Sequence, residues 1–109
     1  MIEVEEYTAV DGTSPFREWF LGLSAKAKEA VLAAVDRMEL GNLGDTKSVG
    51  AGVLERRIHS GPGYRIYFGR DGDRLILLLG GSTKRRQQRA IRQAQERWQD
   101  YKRRKRKGE

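Results

Sequence analysis

Residues 53–84 constrain the fold more than any other part of this chain, because they contain three strand-forming segments separated by turn signals. In residues 54–59 and 64–69, apolar and polar side chains alternate, and a period of two places them on opposite faces of a sheet. Residues 74–79 include five consecutive apolar side chains, which is typical of a central strand covered on both faces. The Asp71-Gly72 pair favours a tight hairpin, since both central residues of such a turn need positive φ. The segment therefore predicts three consecutive strands.

The alternation in the first two strands also sorts their side chains by face. The apolar side chains on one face are Leu54, Ile58, Tyr64, Ile66 and Phe68. If that face covers the core, then Arg57, His59, Arg65 and Tyr67 project from the opposite face. The sequence thus predicts a basic surface that carries an imidazole, the side-chain type that titrates most readily near neutral pH.

The N-terminal part of the chain predicts one more strand and a pair of linked helices. Residues 2–7 alternate like a short strand at a sheet edge. Ser14, followed by proline, and Ser24 are typical helix starts, because a hydroxyl oxygen accepts from the free N–H groups of the first turn. The second helix is expected to end near Leu40. Two short helices in this arrangement predict an antiparallel helical hairpin.

Two further segments complete the prediction. Residues 41–52 are glycine-rich and predict a loop, in which Lys47 or Ser48 could approach a ligand, although a plain surface loop is favoured. Residues 84–101 predict the last helix, and the like-charged residues after it predict a mobile, polyanion-binding tail. The expected organisation is one domain over residues 1–101 with a basic tail at 102–109. The order strand-helix-helix-strand-strand-strand-helix predicts an α+β fold, in which a small antiparallel-dominated sheet packs on the helical hairpin.

Composition narrows the class of partner. The chain has 109 residues, a net charge of +7 and a pI near 10.1, which favour a polyanionic partner such as RNA, DNA or an acidic protein. It has no cysteine and one histidine, so a thiolate metal site is excluded and no metal or other cofactor is expected. The acidic start does not resemble a signal peptide, and no apolar run reaches the length of a membrane span. We therefore expect a cytoplasmic protein.

The basic face has the residue types that metal-free RNA cleavage requires. This reaction needs a group that removes the 2′-hydroxyl proton, cations that stabilise the phosphorane, and a proton for the departing 5′ oxygen. Arg57, Arg65 and Lys84 can stabilise the charge, and His59 is the proton-transfer candidate, although a structural role is the commoner one for a single histidine. Tyr67 could stack on a base or pack against the last helix. Lys84 follows Gly-Gly-Ser-Thr, a helix start that suits either a phosphate or an ordinary cap.

Two motifs resemble a known family. Residues 61–68 (GPGYRIYF) and 77–84 (LLLGGSTK), followed by Gln87 and Gln88, resemble the HigB-like addiction module killer proteins of the RelE/ParE toxin superfamily. The resemblance covers roughly residues 2–101. It implies the fold predicted above, with the basic residues on the open face of the sheet. It also implies a bacterial toxin paired with an antitoxin encoded beside it, typically a helix-turn-helix DNA-binding protein.

The resemblance assigns roles to individual positions. RelE-like members cut mRNA in the ribosomal A site with arginines and lysines, and the matching positions here are Arg57, Arg65 and Lys84, with Arg85 gripping the backbone. The tyrosine that some members carry in the last helix is absent, and Ile91 stands near its position, so His59 or Tyr67 would have to replace it. The side chains expected to contact RNA are Arg85, Arg86, Arg89 and Tyr67.

The resemblance leaves more than one function open. The leading expectation is a ribosome-dependent mRNA endoribonuclease that inhibits translation and forms a hetero-oligomer with its antitoxin. ParE-like relatives instead inhibit DNA gyrase and lack the nuclease residues. A third alternative is a small basic nucleic-acid-binding protein without catalysis. The combination of Arg57, His59, Arg65 and Lys84 favours the nuclease.

Overall fold

The computed structural model describes residues 1–108. Its elements, in chain order, are β1 (Glu3–Glu6), α1 (Pro15–Leu21), α2 (Ala25–Glu39), β2 (Thr46–Ser48), β3 (Leu54–Ile58), β4 (Tyr64–Asp71), β5 (Leu75–Thr83), a 3₁₀ turn (Lys84–Arg86) and α3 (Gln87–Arg106). The strands form one mixed sheet in the order β1-β5-β4-β3-β2. β1 runs parallel to β5, and all other neighbours are antiparallel. The predicted α+β class is therefore confirmed.

Helices cover both faces of this sheet. On one face, the α1–α2 hairpin packs against the apolar sides of β3 and β4, and Val31 and Met38 of α2 are fully buried there. On the other face, Ala94 and Trp98 of α3 pack against Tyr67. The expectation that the basic residues lie on an open face is wrong, because α3 covers much of that face.

Both helices of the hairpin begin where their caps predict. The Ser14 hydroxyl oxygen accepts a hydrogen bond from the backbone N–H of Arg17 at 3.1 Å. The Ser24 hydroxyl oxygen likewise accepts from the N–H of Ala27 at 3.2 Å. These bonds satisfy N–H groups that have no partner inside the helix, which fixes the start of each helix.

The predicted loop at residues 41–52 contains a short edge strand that the sequence pattern does not indicate. In β2, Thr46 pairs with Arg56 and Ser48 pairs with Leu54 of β3. Most β2 side chains are exposed, so the strand shows no apolar alternation. Its backbone hydrogen bonds with β3 hold it in place, and the rest of the segment remains a surface loop as expected.

The last helix is longer than predicted. α3 continues through residues 102–106, so the prediction of a mobile tail is wrong for these residues, while Glu109 lies outside the described part of the chain. Acidic partners offset the repulsion between the like charges: Arg104 pairs with Asp100 at 2.5 Å and Lys105 pairs with Asp71. Within residues 1–108, no helix combines the length and apolar character needed to cross a lipid bilayer.

Candidate functional site

The register of the sheet brings two predicted arginines together. Arg57 of β3 lies directly opposite Arg65 of β4, and Arg65 lies opposite Ser82 of β5. Tyr67 faces Gly80 while Phe68 faces Leu78, which leaves one extra residue in β5 as a bulge. This bulge shifts the register by one and places Ser82 opposite Arg65. The three strands therefore present a row of two guanidinium groups and a hydroxyl on the α3 side.

Like charges directly across a strand pair are unfavourable, and a buried carboxylate offsets this one. Glu55 is fully buried on the same face as the arginines. Its Oε1 lies 3.4 Å from Nε of Arg57, and its Oε2 accepts a hydrogen bond from Nε2 of Gln87 at 2.6 Å. The alternation that predicts Arg57 on this face applies equally to Glu55, but sequence reasoning gave Glu55 no role. The missed signal is its two-residue spacing from Arg57, which puts an acid and a base on one side of a strand.

Arg65 is the buried cation of the row. It is only 7% exposed, and its Nε has no hydrogen-bond partner within residues 1–108. A buried N–H without a partner is costly, and an anion that accepts from guanidinium groups would remove that cost. Nε of Arg56, outside this row, also has no partner among the described residues, so it is the paired positive charge of Arg57 and Arg65 that favours a phosphate.

A carboxylate and an imidazole border this row. Nε2 of His59 lies 2.6 Å from Oδ2 of Asp45, and Oδ1 of the same carboxylate lies 3.9 Å from the Arg57 guanidinium. The hydrogen bond from His59, together with the Arg57 charge, holds the pKa of Asp45 below its ordinary value. Because an ionised carboxylate can only accept, Nε2 carries the proton and Nδ1 of a neutral ring is free to accept another.

The imidazole is also accessible. The His59 side chain is 71% exposed, so a substrate can reach it. Asp45 belongs to the segment that was expected to be a plain loop, and sequence reasoning missed it. Its approach to His59 depends on β2 pairing with β3, which no local pattern reveals. Among residues 1–108, no three acidic or histidine side chains gather where they could share a metal ion.

The structure decides between the two alternatives for Tyr67. The ring is fully buried between the sheet and α3, so it packs against the last helix, and the prediction that it stacks on an RNA base is wrong. Its hydroxyl lies 3.1 Å from the Ser82 hydroxyl. Burial raises the pKa of Tyr67 to about 12, so its hydroxyl stays protonated at neutral pH and the phenolate that would accept a proton is disfavoured. Tyr67 therefore has a structural role, packing between the sheet and α3 next to Ser82.

The remaining predicted cations lie at one end of the site. The backbone N–H of Lys84 donates to the carbonyl of Gly63 at 3.2 Å, which places Lys84 beside the start of β4. Within the described chain, neither the 3₁₀ turn nor α3 has a side-chain cap at its start, so the ordinary capped helix is not what the structure contains. The four cations at this end are exposed and take part in none of the ion pairs between residues 1–108; they are Lys84, Arg85, Arg86 and Arg89.

Comparison with known proteins places this arrangement in a family. Residues 18–99 match the family described as "Phage derived protein Gp49-like (DUF891)". A protein of Haemophilus influenzae, itself named only "Uncharacterized protein", is 40% identical over 83 residues, which cover 75% of this chain and 84% of the relative. The family match includes every site residue from Asp45 to Arg89. The chain therefore belongs to the Gp49-like family of phage-derived proteins, a membership consistent with the toxin of a toxin–antitoxin system.

Proposed function

We propose that this protein is the toxin of a type II toxin–antitoxin system and cleaves mRNA on the ribosome without a metal ion. The observation that carries the proposal is the cross-strand pair of Arg57 and Arg65 beside an accessible His59. A phosphate placed between two opposed guanidinium groups turns an unfavourable contact into two charge-assisted interactions. Family membership is consistent with a toxin, and the resemblance to RelE-like nucleases supports the reaction class.

The proposed reaction is an internal transesterification. The 2′ oxygen attacks the adjacent phosphorus, the bond from phosphorus to the 5′ oxygen breaks, and the products are a cyclic 2′,3′-phosphate and a 5′-hydroxyl. His59 removes the 2′-hydroxyl proton through its free ring nitrogen while Asp45 orients the ring. The departing 5′ oxygen takes a proton from solvent at the exposed rim. Arg57, Arg65 and Lys84 stabilise the additional negative charge of the phosphorane.

Each group has a different expected contribution. Removing one preorganised charge-stabilising donor costs roughly 100- to 1,000-fold in rate, and removing a general base costs roughly 100- to 10,000-fold. Glu55 neither donates nor accepts a proton in this scheme. It holds Arg57 at 3.4 Å and keeps the arginine pair in place until a phosphate arrives.

The deciding experiment is primer extension on a defined mRNA in a reconstituted translation system. We expect codon-registered, ribosome-dependent cuts from the protein, and their loss in His59→Gln and Arg65→Ala. His59 is mostly exposed, so its replacement leaves the fold intact. Arg92→Ala is the matched control, because it removes an exposed arginine of α3 that lies outside the site.

Two results would contradict the proposal. Undiminished cutting by folded His59→Gln and Arg65→Ala variants would remove these residues from the chemistry. No cutting by a folded protein that still arrests growth would favour the gyrase-inhibiting alternative, which DNA-damage signalling before translation stops would identify.

We also propose an antitoxin encoded beside this chain, of the helix-turn-helix DNA-binding type that the resemblance implies. The uncompensated cations at Lys84, Arg85, Arg86 and Arg89 favour a partner that presents carboxylates to this end of the sheet. Co-expression of the neighbouring gene should restore growth and yield a stable complex with this chain. Growth arrest that persists with the neighbouring protein present would contradict this pairing.

A further inference from the structure

A groove lies beside the candidate site, at the outer edge of β5. The pairing of β1 with β5 ends at Leu78, so within the described chain the last residues of β5 have no strand neighbour on that side. α1 and the beginning of α3 flank the open edge and enclose about 410 Å³. The residues that define the groove are Trp19, Gly81, Thr83, Arg86, Arg89 and Gln93.

One wall of the groove is an indole held in a fixed position. The ring of Trp19 lies directly on Gly81, where an added Cβ would approach the ring carbons to 2.2 Å. Phe16 packs beside it with a centroid separation of 5.9 Å. Only a residue without a side chain allows this approach, so Gly81 sets the position of the indole. The ring remains partly exposed, and its accessible part lines the groove.

The rest of the groove is cationic and polar. Arg86 and Arg89 line it from the start of the last helix and take part in none of the ion pairs between residues 1–108. No carboxylate of these described residues lines the groove. Ser82 borders both the groove and the arginine row, because it lies opposite Arg65. An RNA strand with one phosphate bound at Arg65 would therefore place the adjacent nucleotide at this groove.

We propose that this groove binds a nucleobase adjacent to the phosphate held by Arg57 and Arg65, an inference that rests on the proposed RNA substrate. The base stacks on the Trp19 indole, and Arg86 and Arg89 contact the flanking phosphates. Any of the bases can stack on an aromatic side chain, so the groove strengthens RNA binding with little sequence preference. The unpaired β5 edge could instead receive an extended peptide, but an aromatic wall with unneutralised arginines fits a nucleotide better.

The test measures tryptophan emission during titration with a short oligoribonucleotide whose 2′-hydroxyls are all methylated, so that it cannot be cleaved. Trp98 is only 5% exposed, so a change on binding reports Trp19. We expect quenching in the natural chain and its loss in Trp19→Phe. An oligomer with one abasic position should bind about 5- to 150-fold more weakly than its base-bearing counterpart.

A matched pair of variants isolates the groove. Arg89→Gln should weaken binding of the base-bearing oligomer by roughly tenfold, whereas Arg92→Gln removes the same charge one turn away and should change it little. Both residues are exposed, so neither replacement disturbs the core.

The outcomes separate this inference from the proposed nuclease. Equal affinity for base-bearing and abasic oligomers, with unchanged emission, would overturn the groove even if codon-registered cleavage persists. Quenching by a peptide of the antitoxin but not by the oligomer would identify a protein partner there and overturn it as well. Base-dependent quenching without any cleavage would support the groove and count against the nuclease.

Discussion

Replacing Glu55 by glutamine tests whether this carboxylate is the internal counter-ion of the arginine pair. The substitution Glu55→Gln keeps the size of the side chain, and the new amide carbonyl could still accept from Gln87, whose nitrogen lies 2.6 Å from Oε2 of the natural residue. Only the negative charge is lost, so Arg57 and Arg65 would face each other with Asp45, whose Oδ1 lies 3.9 Å from the Arg57 guanidinium, as the remaining carboxylate. We expect the folded protein to be destabilised when no anion is present.

The magnitude follows from burial. Breaking a fully buried ion pair by removing one partner costs roughly 3–5 kcal/mol. Glu55 is fully buried but the Arg57 side chain is 29% exposed, so water screens part of the loss. We therefore expect a decrease of about 2 kcal/mol in the free energy of unfolding. With the usual dependence on urea for a small protein, about 1–3 kcal/mol per molar, the urea midpoint should fall by about 0.7–2 M.

Phosphate provides the decisive comparison. If the arginine pair binds phosphate, the variant should recover more stability on addition of phosphate than the natural chain, because the buried carboxylate no longer competes for the guanidinium groups. A ligand at a hundredfold excess over its Kd adds about 2.7 kcal/mol to the free energy of unfolding. Urea midpoints with phosphate and with chloride at equal ionic strength measure this difference. Glu29→Gln, which removes an exposed carboxylate of α2, is the control for net charge.

Two results would refute the reasoning. If the Glu55→Gln variant is as stable as the natural chain in chloride, the carboxylate does not hold the arginines in place. Equal phosphate shifts in Glu55→Gln and Glu29→Gln would show that the arginine pair is not the phosphate site.

Two further predictions test the packing of α3. Gly69→Ala would place a Cβ 2.4 Å from the Trp98 ring, and overpacking of this kind costs roughly 1–3 kcal/mol of folding stability. A thermal melt of this variant should therefore show a Tm lower by about 5–15 °C. An unchanged Tm would contradict the close packing of Trp98 on Gly69. Lys105 and Tyr101 hold the pKa of Asp71 below its ordinary value, so its contribution to stability is present above the unfolded pKa and is lost as the pH falls through the folded one. Asp71→Asn should therefore lose less stability than the natural chain between pH 6 and pH 3, measured as urea midpoints, and equal losses would count against this contact.

Local signals in the sequence predicted most of the elements. The hydroxyls of Ser14 and Ser24 act within their own helix turns, and the strand alternation needs only neighbouring residues. β2 could not be predicted this way, because its residues become a strand only through pairing with β3. The extension of α3 was missed for the same reason, since the carboxylate of Asp71 that pairs with Lys105 lies 34 positions away.

The sequence predicted which face several residues of the candidate site share, but not the contacts that hold them there. Alternation alone places Arg57, His59 and Arg65 on one face, and the register confirms that Arg57 and Arg65 lie opposite each other. Alternation cannot reveal that α3 packs over that face, and this packing changes which side chains of the face are exposed. It buries Tyr67 and Glu55, removing the first from RNA contact and making the second a counter-ion.

The cations that remain available to RNA are not spread evenly along α3. Several cations that contribute to the net charge are already engaged: Arg97 donates to the Leu79 carbonyl at 2.9 Å, and Arg104 pairs with Asp100 at 2.5 Å. Toward the other end of α3, Lys84, Arg85, Arg86 and Arg89 remain exposed and outside the ion pairs of residues 1–108, whereas at the C-terminal end the exposed cations outside them are Arg106 and Lys107. Because the attraction of a polyanion depends on uncompensated charge, the beginning of α3 should dominate the salt dependence of RNA binding. The phosphate row and the proposed base groove meet at this end of the sheet, through Ser82, so the cations that attract the RNA also lie where it would be bound.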